Sequence, residues 1–519
     1  MRYSFLLLVF GIFAVSLTSC RNDFEFEPNP GGLEFSKDTV YLDTVFTNIG
    51  SSTYTLKVYN RSDKDIKIPT LQLGQGNDSK YRLMVDGMPG RVFNDVELLA
   101  KDSMFIFIET TIDYTEFTNN ENTFLYTDHI EFHSTQSAPQ KVELVTLVQD
   151  AIFLFPQRND EGQYESIPIS EVDDTQIYGF NLDETENGNE LIWTNAKPYV
   201  VYGYGAVPPG KTLTVNPGAR VHFHANSGLI VRNGATMNIG SPSDPATEAN
   251  QVVFEGDRLE PDFADIPGQW GAIWLQEGST SNFNNAIIKN NTVGILMEGN
   301  NGTAQALSLR NVQLYNSTNV GLLSRNGTIY GENVVINMAG QASFAATLGG
   351  FYNFKHCTFA NYFNSFNQVP VLISDYQETQ DAILVNNLTA TFDNCILYGT
   401  SNFGFLFDRV GELPFEYKFN NCFIKFIDST NRFTNNPMYN FGDQSLFNEG
   451  CTIAQNSTTY KPFFEDPNNN KLNISDDSAA NGLGNTTTAA QVPFDIVNTS
   501  RNTTAPDAGA YESAAFTED

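Results

Sequence analysis

Five ionisable residues crowd one short stretch, Asp257, Arg258, Glu260, Asp262 and Asp265. Carboxylates beside an arginine are the types that hold a calcium ion or grip a sugar. The bland alternative is a loop whose charges are simply solvated. His222 and His224 alternate along a strand-like run and so face one way, which suits a metal pair. No third ligand stands near them in sequence, so a surface strand competes with that reading. No nucleophile motif and no phosphate-cradling loop occurs. These residues therefore nominate calcium as the one conceivable cofactor and name no catalytic group.

The elements that must position them show in a repeating phrase. It reads Phe283-x-Asn285-Ala286-x-Ile288-x-Asn290, then Leu309-x-Asn311-Val312-x-Leu314-x-Asn316. A looser copy holds Asn333-Val334-x-Ile336. Three more follow, at Phe354-x-His356-Cys357, Phe392-x-Asn394-Cys395 and Phe419-x-Asn421-Cys422. The central polar residues are 26, 22, 23, 38 and 27 residues apart. Such a period marks a solenoid whose coils bury their apolar faces only against neighbours. Alternation and β-branched residues inside each copy make the coils strands, hence a parallel β-helix. Asn and Gly suit the corners, and paired asparagines suit amide ladders from coil to coil.

Four cysteines follow Cys20: Cys357, Cys395, Cys422 and Cys451. None has zinc-site spacing. Three take the phrase position held by Ala286, Val312 and Val334, so they should stack inward as free, buried thiols. Trp270 and Trp274 likewise read as core.

The first twenty residues carry an address. Arg2 precedes an apolar run from Phe5 to Leu17, too short to span a bilayer. Leu17-Thr18-Ser19-Cys20 resembles a bacterial lipobox, which implies lipidation of Cys20 and a membrane anchor. The acidic stretch Arg21-Asn22-Asp23-Phe24-Glu25-Phe26-Glu27 is similar to export tags of Bacteroidetes-type surface lipoproteins. That similarity implies an outer-membrane protein exposed at the cell surface. The formal net charge of −31 argues against nucleic acid as a partner.

The chain is expected to divide into six segments: a signal peptide (1–20), an acidic tether (21–32), a sandwich (33–150), a linker (151–195), the β-helix (196–460) and, as the resemblance given below implies, its C-terminal cap (461–519). The strands of 33–150, with Thr44-Val45-Phe46-Thr47-Asn48-Ile49-Gly50, resemble immunoglobulin-like modules and suit a spacer. Pro208-Pro209-Gly210-Lys211-Thr212-Leu213 and Gly268-Gln269-Trp270-Gly271-Ala272-Ile273-Trp274 resemble opening coils of the right-handed, pectate-lyase-like β-helix superfamily. Pro506-Asp507-Ala508-Gly509-Ala510-Tyr511-Glu512 resembles its terminal module, which makes Asp507 and Glu512 structural.

The fold expected is therefore all-β, an immunoglobulin-like β-sandwich followed by a right-handed parallel β-helix solenoid. Lyases of that superfamily carry an Arg-Ile-Lys signature, and its hydrolases carry Asn-Thr-Asp and Asp-Asp pairs. Both are absent between 196 and 460. The expectation is a non-catalytic surface lipoprotein binding a polysaccharide or a surface protein. A polysaccharide lyase or hydrolase, or a purely structural adhesin, is the alternative.

Overall fold

The computed structural model describes residues 25–117, 122–169, 175–185, 188–299, 306–365, 367–380, 382–456 and 458–516. Cys20, Asn300, Asn301 and the acidic run Glu171-Val172-Asp173-Asp174 lie outside them. The described chain is almost entirely β, with one α-helical stretch at Thr486–Gln491. It divides into two compact units, 1–150 and 151–519.

In the N-terminal unit, strict alternation makes two sheets that share one core. Ile66–Leu73, Thr123–Phe132, Gln140–Gln149 and Thr39–Phe46 lie side by side in one, with Val92–Leu98 against Ile66–Leu73. Glu34–Phe35, Tyr54–Tyr59, Ser103–Thr110, Tyr81–Val85 and Met88–Gly90 make the other. Leu56, Val58, Ile106, Ile108, Ile130 and Leu144 meet between them, all inaccessible to solvent. The expected tether ends earlier than residue 32. Glu27–Pro28 already pairs with Ile66 and Lys67, and Asn29 is buried, its amide donating to His133 O at 3.1 Å.

The C-terminal unit is a stack in which the chain returns to the same three faces on every circuit. The first face runs from Ile192–Trp193 through Thr212–Val215 and Thr236–Ile239 to Gly350–Lys355, Leu388–Asp393 and Phe415–Asn420. The second runs from Ile152–Leu154 through Tyr199–Val201 and Arg220–Phe223 to Ile396–Gly399, Phe423–Lys425 and Thr452–Ala454. The third runs from Gln176–Asn181 to Phe405–Asp408. All three pair parallel, so each strand meets the strand one circuit away. The stack therefore begins at Ile152, not near Tyr199. Residues 151–195, read as a linker, supply a first circuit instead, because Leu154, Phe180, Leu182, Leu191 and Trp193 are apolar and bury against the next one.

Thr280–Lys289, Leu307–Ser317 and Thr328–Ala339 each run unbroken from the first face into the second. The central residue of the repeating phrase is the corner between them. Asn285, Asn311, Asn333, His356, Asn394 and Asn421 all sit at φ between +50° and +55°. That left-handed region excludes most side chains and admits asparagine, whose short polar chain can bond locally. The expected ladder exists: Asn333 Nδ2 donates to Asn311 Oδ1 at 2.8 Å, and Asn448 Nδ2 to Asn421 Oδ1 at 2.8 Å. Asn394 Nδ2 lies 2.8 Å from His356 Nε2. Burial pushes the His356 imidazole well below its usual range, with Arg501 adding to the effect, so the ring is a neutral acceptor.

Inside the corners, columns stack in register. Phe354, Phe392, Phe419 and Phe447 follow one another at 5.5, 4.9 and 5.3 Å between ring centres. Cys357, Cys395, Cys422 and Cys451 are free thiols, the first three buried. The backbone N–H of Cys395 points at Cys422 Sγ at 3.4 Å, and that of Cys422 at Cys451 Sγ at 3.4 Å. Burial pushes the Cys395 thiol well above its ordinary range.

The C-terminal segment is a strap along the outside of the second face rather than an end cap. Leu472, Ile496, Ala510 and Tyr511 cover Tyr315, Val335 and Ala360, while Ile474, Ala480 and Ala508 cover Ile396, Tyr398 and Phe423. Those outward positions are apolar and need a cover, which an end cap would not give. Beyond Phe419 the core is continued by Phe433, Tyr439, Phe441 and Phe447 of the 428–448 insertion. The strap is fixed by Arg501, 5% exposed, which donates to Asn333 Oδ1 at 2.7 Å and to Glu512 Oε1 at 2.9 Å. Asp507 accepts from Gly482 N at 2.6 Å and Ser513 N at 2.5 Å. Asp507 and Glu512 thus do structural work, as expected.

Asn394 separates backbone strain from hydrogen bonding. Its side chain donates to Asn485 O at 3.0 Å and accepts from Asn485 N at 2.7 Å. Asn394→Gly keeps the angle and loses those bonds, costing about 2 kcal/mol. Asn394→Ala adds left-handed strain of about 1 kcal/mol more. Melting temperatures should fall in the order parent, Gly, Ala; equal Gly and Ala values would contradict the corner role.

Candidate functional site

The five loop residues nominated by charge do not converge. Asp257 Oδ2 lies 2.7 Å from His224 Nδ1, and Arg258 pairs with Glu260 at 3.2 Å while lying 3.8 Å over the Phe263 ring. Asp262 is exposed, and Asp265 accepts from Asn316 Nδ2 at 3.1 Å. The loop is held as a structural flap, since Asn290 Nδ2 donates to Ala264 O at 2.8 Å and Gln269 Nε2 to Ile266 O at 2.9 Å. Among the described residues no group of three or more histidine, cysteine or acidic side chains is placed to hold a metal ion.

The two histidines also part company. His222 is buried with Nδ1 3.2 Å from Gly256 O, and burial pushes its imidazole below the ordinary range. His224, half exposed, stacks on Tyr202 at 4.5 Å. The tryptophans split as well. Trp270 is core, stacked on Phe223 at 4.4 Å, with Nε1 donating to Lys289 O. Trp274 instead lies on the outward side of the third face, against Ala206, Ile230 and the hairpin residues Ile167 and Ile177. The register shift between Ala272 and Ile273 lies within its strand, at the step into the next circuit.

That outward third face is apolar along its length, Trp274, Leu296, Leu323, Ala345, Leu372 and Leu406 standing in register. The first face is the opposite. Its outward column reads Thr214, Asn238, Asn282, Ser308, Tyr330, Asn353, Thr391. A parallel column holds Thr212, Thr236, Thr280, then Thr328, Phe351, Thr389. Thr328, Tyr330, Phe351, Asn353, Thr389 and Thr391 enclose a shallow groove of about 240 Å³. Two aromatic rings bordered by hydroxyls and an amide offer both an apolar platform and hydrogen bonds to hydroxyl groups.

Beside the groove runs a column of alternating sign, Arg310, Glu332, Lys355, Asp393. Arg310 lies 3.7 Å from Glu332, and Asn420 Nδ2 donates to Asp393 at 2.5 Å. Arg310 and Lys355 also stand 5.5 and 5.4 Å from the Tyr330 ring, whose hydroxyl donates to Glu332. Burial, with the Glu332 carboxylate beside it, pushes the Tyr330 phenol well up, so it stays a neutral donor. The groove residues were passed over in the sequence. Part of the signal was there, in Thr280-x-Asn282 and Thr389-x-Thr391, which precede the corners Asn285 and Asn394 by the same step.

A second convergence was also missed. Asp375, inaccessible to solvent, accepts from Val410 N and Gly411 N at 3.0 and 3.1 Å, and Tyr376 donates to Asp408 at 2.8 Å. Asp375 is thereby committed to holding the 409–411 turn. An aromatic cleft of about 490 Å³ lies at the 428–448 insertion, lined by Phe426, Phe433, Tyr439 and Phe441. Its Asp428 is likewise engaged, accepting from Arg432 N and Phe433 N.

No family model matches the chain, and no curated protein matches it. Among solved structures it is similar, at 15% identity and a TM-score of 0.16, to the periplasmic chaperone SfaE, over 23% of this chain and 58% of that one. A family 123 glycoside hydrolase from Clostridium perfringens matches at 10% identity and a TM-score of 0.17, over 24% of this chain and 30% of that one. A PapD-like domain of human CEP192 matches at 11% identity and a TM-score of 0.15, over 26% and 94% of the two chains.

The flap reading separates two neighbouring carboxylates. Asp265→Ala should lower stability by about 1 kcal/mol through the lost Asn316 bond. Asp262→Ala should stay within about 0.5 kcal/mol of the parent. Thermal melts with calcium and with chelator should superpose for both; a calcium-dependent rise that Asp262→Ala abolishes would restore the calcium loop.

Proposed function

We propose that the C-terminal unit is a right-handed parallel β-helix and the N-terminal unit an immunoglobulin-like sandwich, in a lipoprotein anchored through Cys20 at the cell surface. On this reading the protein is non-catalytic and binds a glycan along the first face. The observation that carries it is the Thr/Asn/Ser-lined side with Tyr330 and Phe351 set into it. Hydroxyls and amides match a sugar's hydroxyls, and the rings match its C–H faces. A chain of net charge −31 favours a neutral or weakly charged ligand over an acidic one. The carboxylates nearest the groove belong to the alternating column and are shared with neighbouring cations or amides. That arrangement supports binding better than the lyase or hydrolase alternative, which needs uncommitted acid and base groups.

The test is a glycan array probed with the unlipidated chain 21–519, with calcium and with chelator. Calcium-independent binding to a neutral glycan is expected, and Phe351→Ala or Tyr330→Ala should weaken it about tenfold. Binding only to acidic polysaccharide and only with calcium would favour the lyase reading and the 257–265 loop. No binding in either condition would overturn both and leave a protein partner.

A further inference from the structure

The five-stranded sheet of the N-terminal unit turns an apolar side outward. Alternation sends Leu83, Ile106 and Ile108 into the core and Met84, Phe105 and Phe107 to the surface. These three are 42%, 50% and 40% exposed. They are contiguous: Phe107 pairs across to Met84, and Phe105 stands opposite Lys57. Cations interleave with the rings. Lys57 Nζ lies 5.1 Å from the Phe105 ring and 5.3 Å from the Tyr59 ring, and the Arg61 guanidinium lies 4.3 Å from Tyr59. Arg82 shares the exposed side of the Met84 strand, with Glu109 3.8 Å away, and Arg61 pairs with Glu34 at 2.9 Å. Rings, a methionine and long cations on one face are the chemistry of a surface that lies on headgroups, the rings entering the interface and the cations meeting headgroup phosphates.

Chain length keeps either sheet within reach of the membrane, since Glu27–Pro28 pairs in the six-stranded sheet. Glu27–Pro28 is already a strand of this unit, so seven residues lead from Cys20 to Glu27. Fully extended they reach about 25 Å. The two sheets of such a unit are ~10 Å apart, so a lipid on Cys20 holds the whole unit beside the bilayer. We propose that the outward side of the five-stranded sheet docks on the membrane surface, its rings and cations meeting phospholipid headgroups. This rests on the lipid-anchor reading.

The experiment tethers the chain 21–519, through an N-terminal hexahistidine, to nickel-chelating vesicles of phosphatidylcholine and phosphatidylglycerol, and maps it by hydroxyl-radical footprinting. Labelling of Met84 and Phe105 should fall about tenfold against the free chain, while Tyr41 and Leu125 on the other sheet keep their rates. Phe105→Asp with Phe107→Asp should restore labelling of Met84 without lowering the melting temperature. Unchanged labelling of Met84, or protection of Tyr41 and Leu125 instead, overturns the proposal. So does concentration-dependent protection without vesicles, which would name a second copy as the occupant. The anchor is read separately, from the mass of the N-terminal peptide of the cell-derived protein. An acylated Cys20 supports the placement; an unmodified one overturns the anchor, whatever the vesicles show.

Discussion

One backbone angle governs the C-terminal unit, a φ near +50° at the residue where each circuit passes from the first face to the second. Where that angle recurs, the strands on both sides start and stop in step. Parallel pairing then places like positions directly over one another. The inward columns follow from this register, which is why Ile288, Leu314, Ile336, Phe359, Leu397 and Ile424 form one line. It is also why phenylalanine rings can stack almost flat, Phe419 and Phe447 differing by 1°. A residue without a left-handed habit at the corner would shift the pairing on two faces at once.

The corner side chains also bind the strap. Each asparagine amide has two donors; Asn333 and Asn394 spend one on the ladder, while Asn421 enters it as the acceptor from Asn448. The others go to strap carbonyls: Asn333 to Phe494 O, Asn394 to Asn485 O and Asn421 to Leu483 O, at 2.9 to 3.0 Å. Strap and ladder therefore satisfy each other's buried polar groups, and neither is complete alone. The Arg501–Glu512 pair belongs to the same arrangement. Burial pushes the Glu512 carboxyl above its usual range while Arg501 opposes the shift, so the pair stabilises the strap only while it is closed over the second face.

The repeat was legible because it is local. A strand, a polar corner and a second strand fit within ten residues, and the cysteine column showed as soon as copies were aligned. Three other features depend on distant partners, and the sequence concealed them. The first circuit uses strands as short as Ile192–Trp193, with no phrase to mark it, and its acidic neighbours look like a linker. The flap charges look like a cation site until His224 and Asn316 arrive from other circuits. The strap was recognised as a terminal module, yet its position depends on apolar outward residues such as Val335, Ile396 and Phe423, which read as ordinary core. Trp274 failed for the same reason, since a strand alone does not tell which of its sides is covered.

The outward sides of the three faces have separate fates. The second is hidden by the strap over Tyr315 to Ala454. The third carries a hydrocarbon column that the hairpin of Ser166–Pro168 covers at Ala206 and Ile230. A hydrocarbon column has no directional groups with which to read a polar ligand. The first presents threonine, asparagine and serine at one-circuit spacing of ~4.8 Å, and aromatic rings only where the groove lies. Polar side chains on an outward strand face need no partner to be stable in water, so nothing in the packing demands rings there. Tyr330 and Phe351 are the positions at which this face departs from what solubility alone would select.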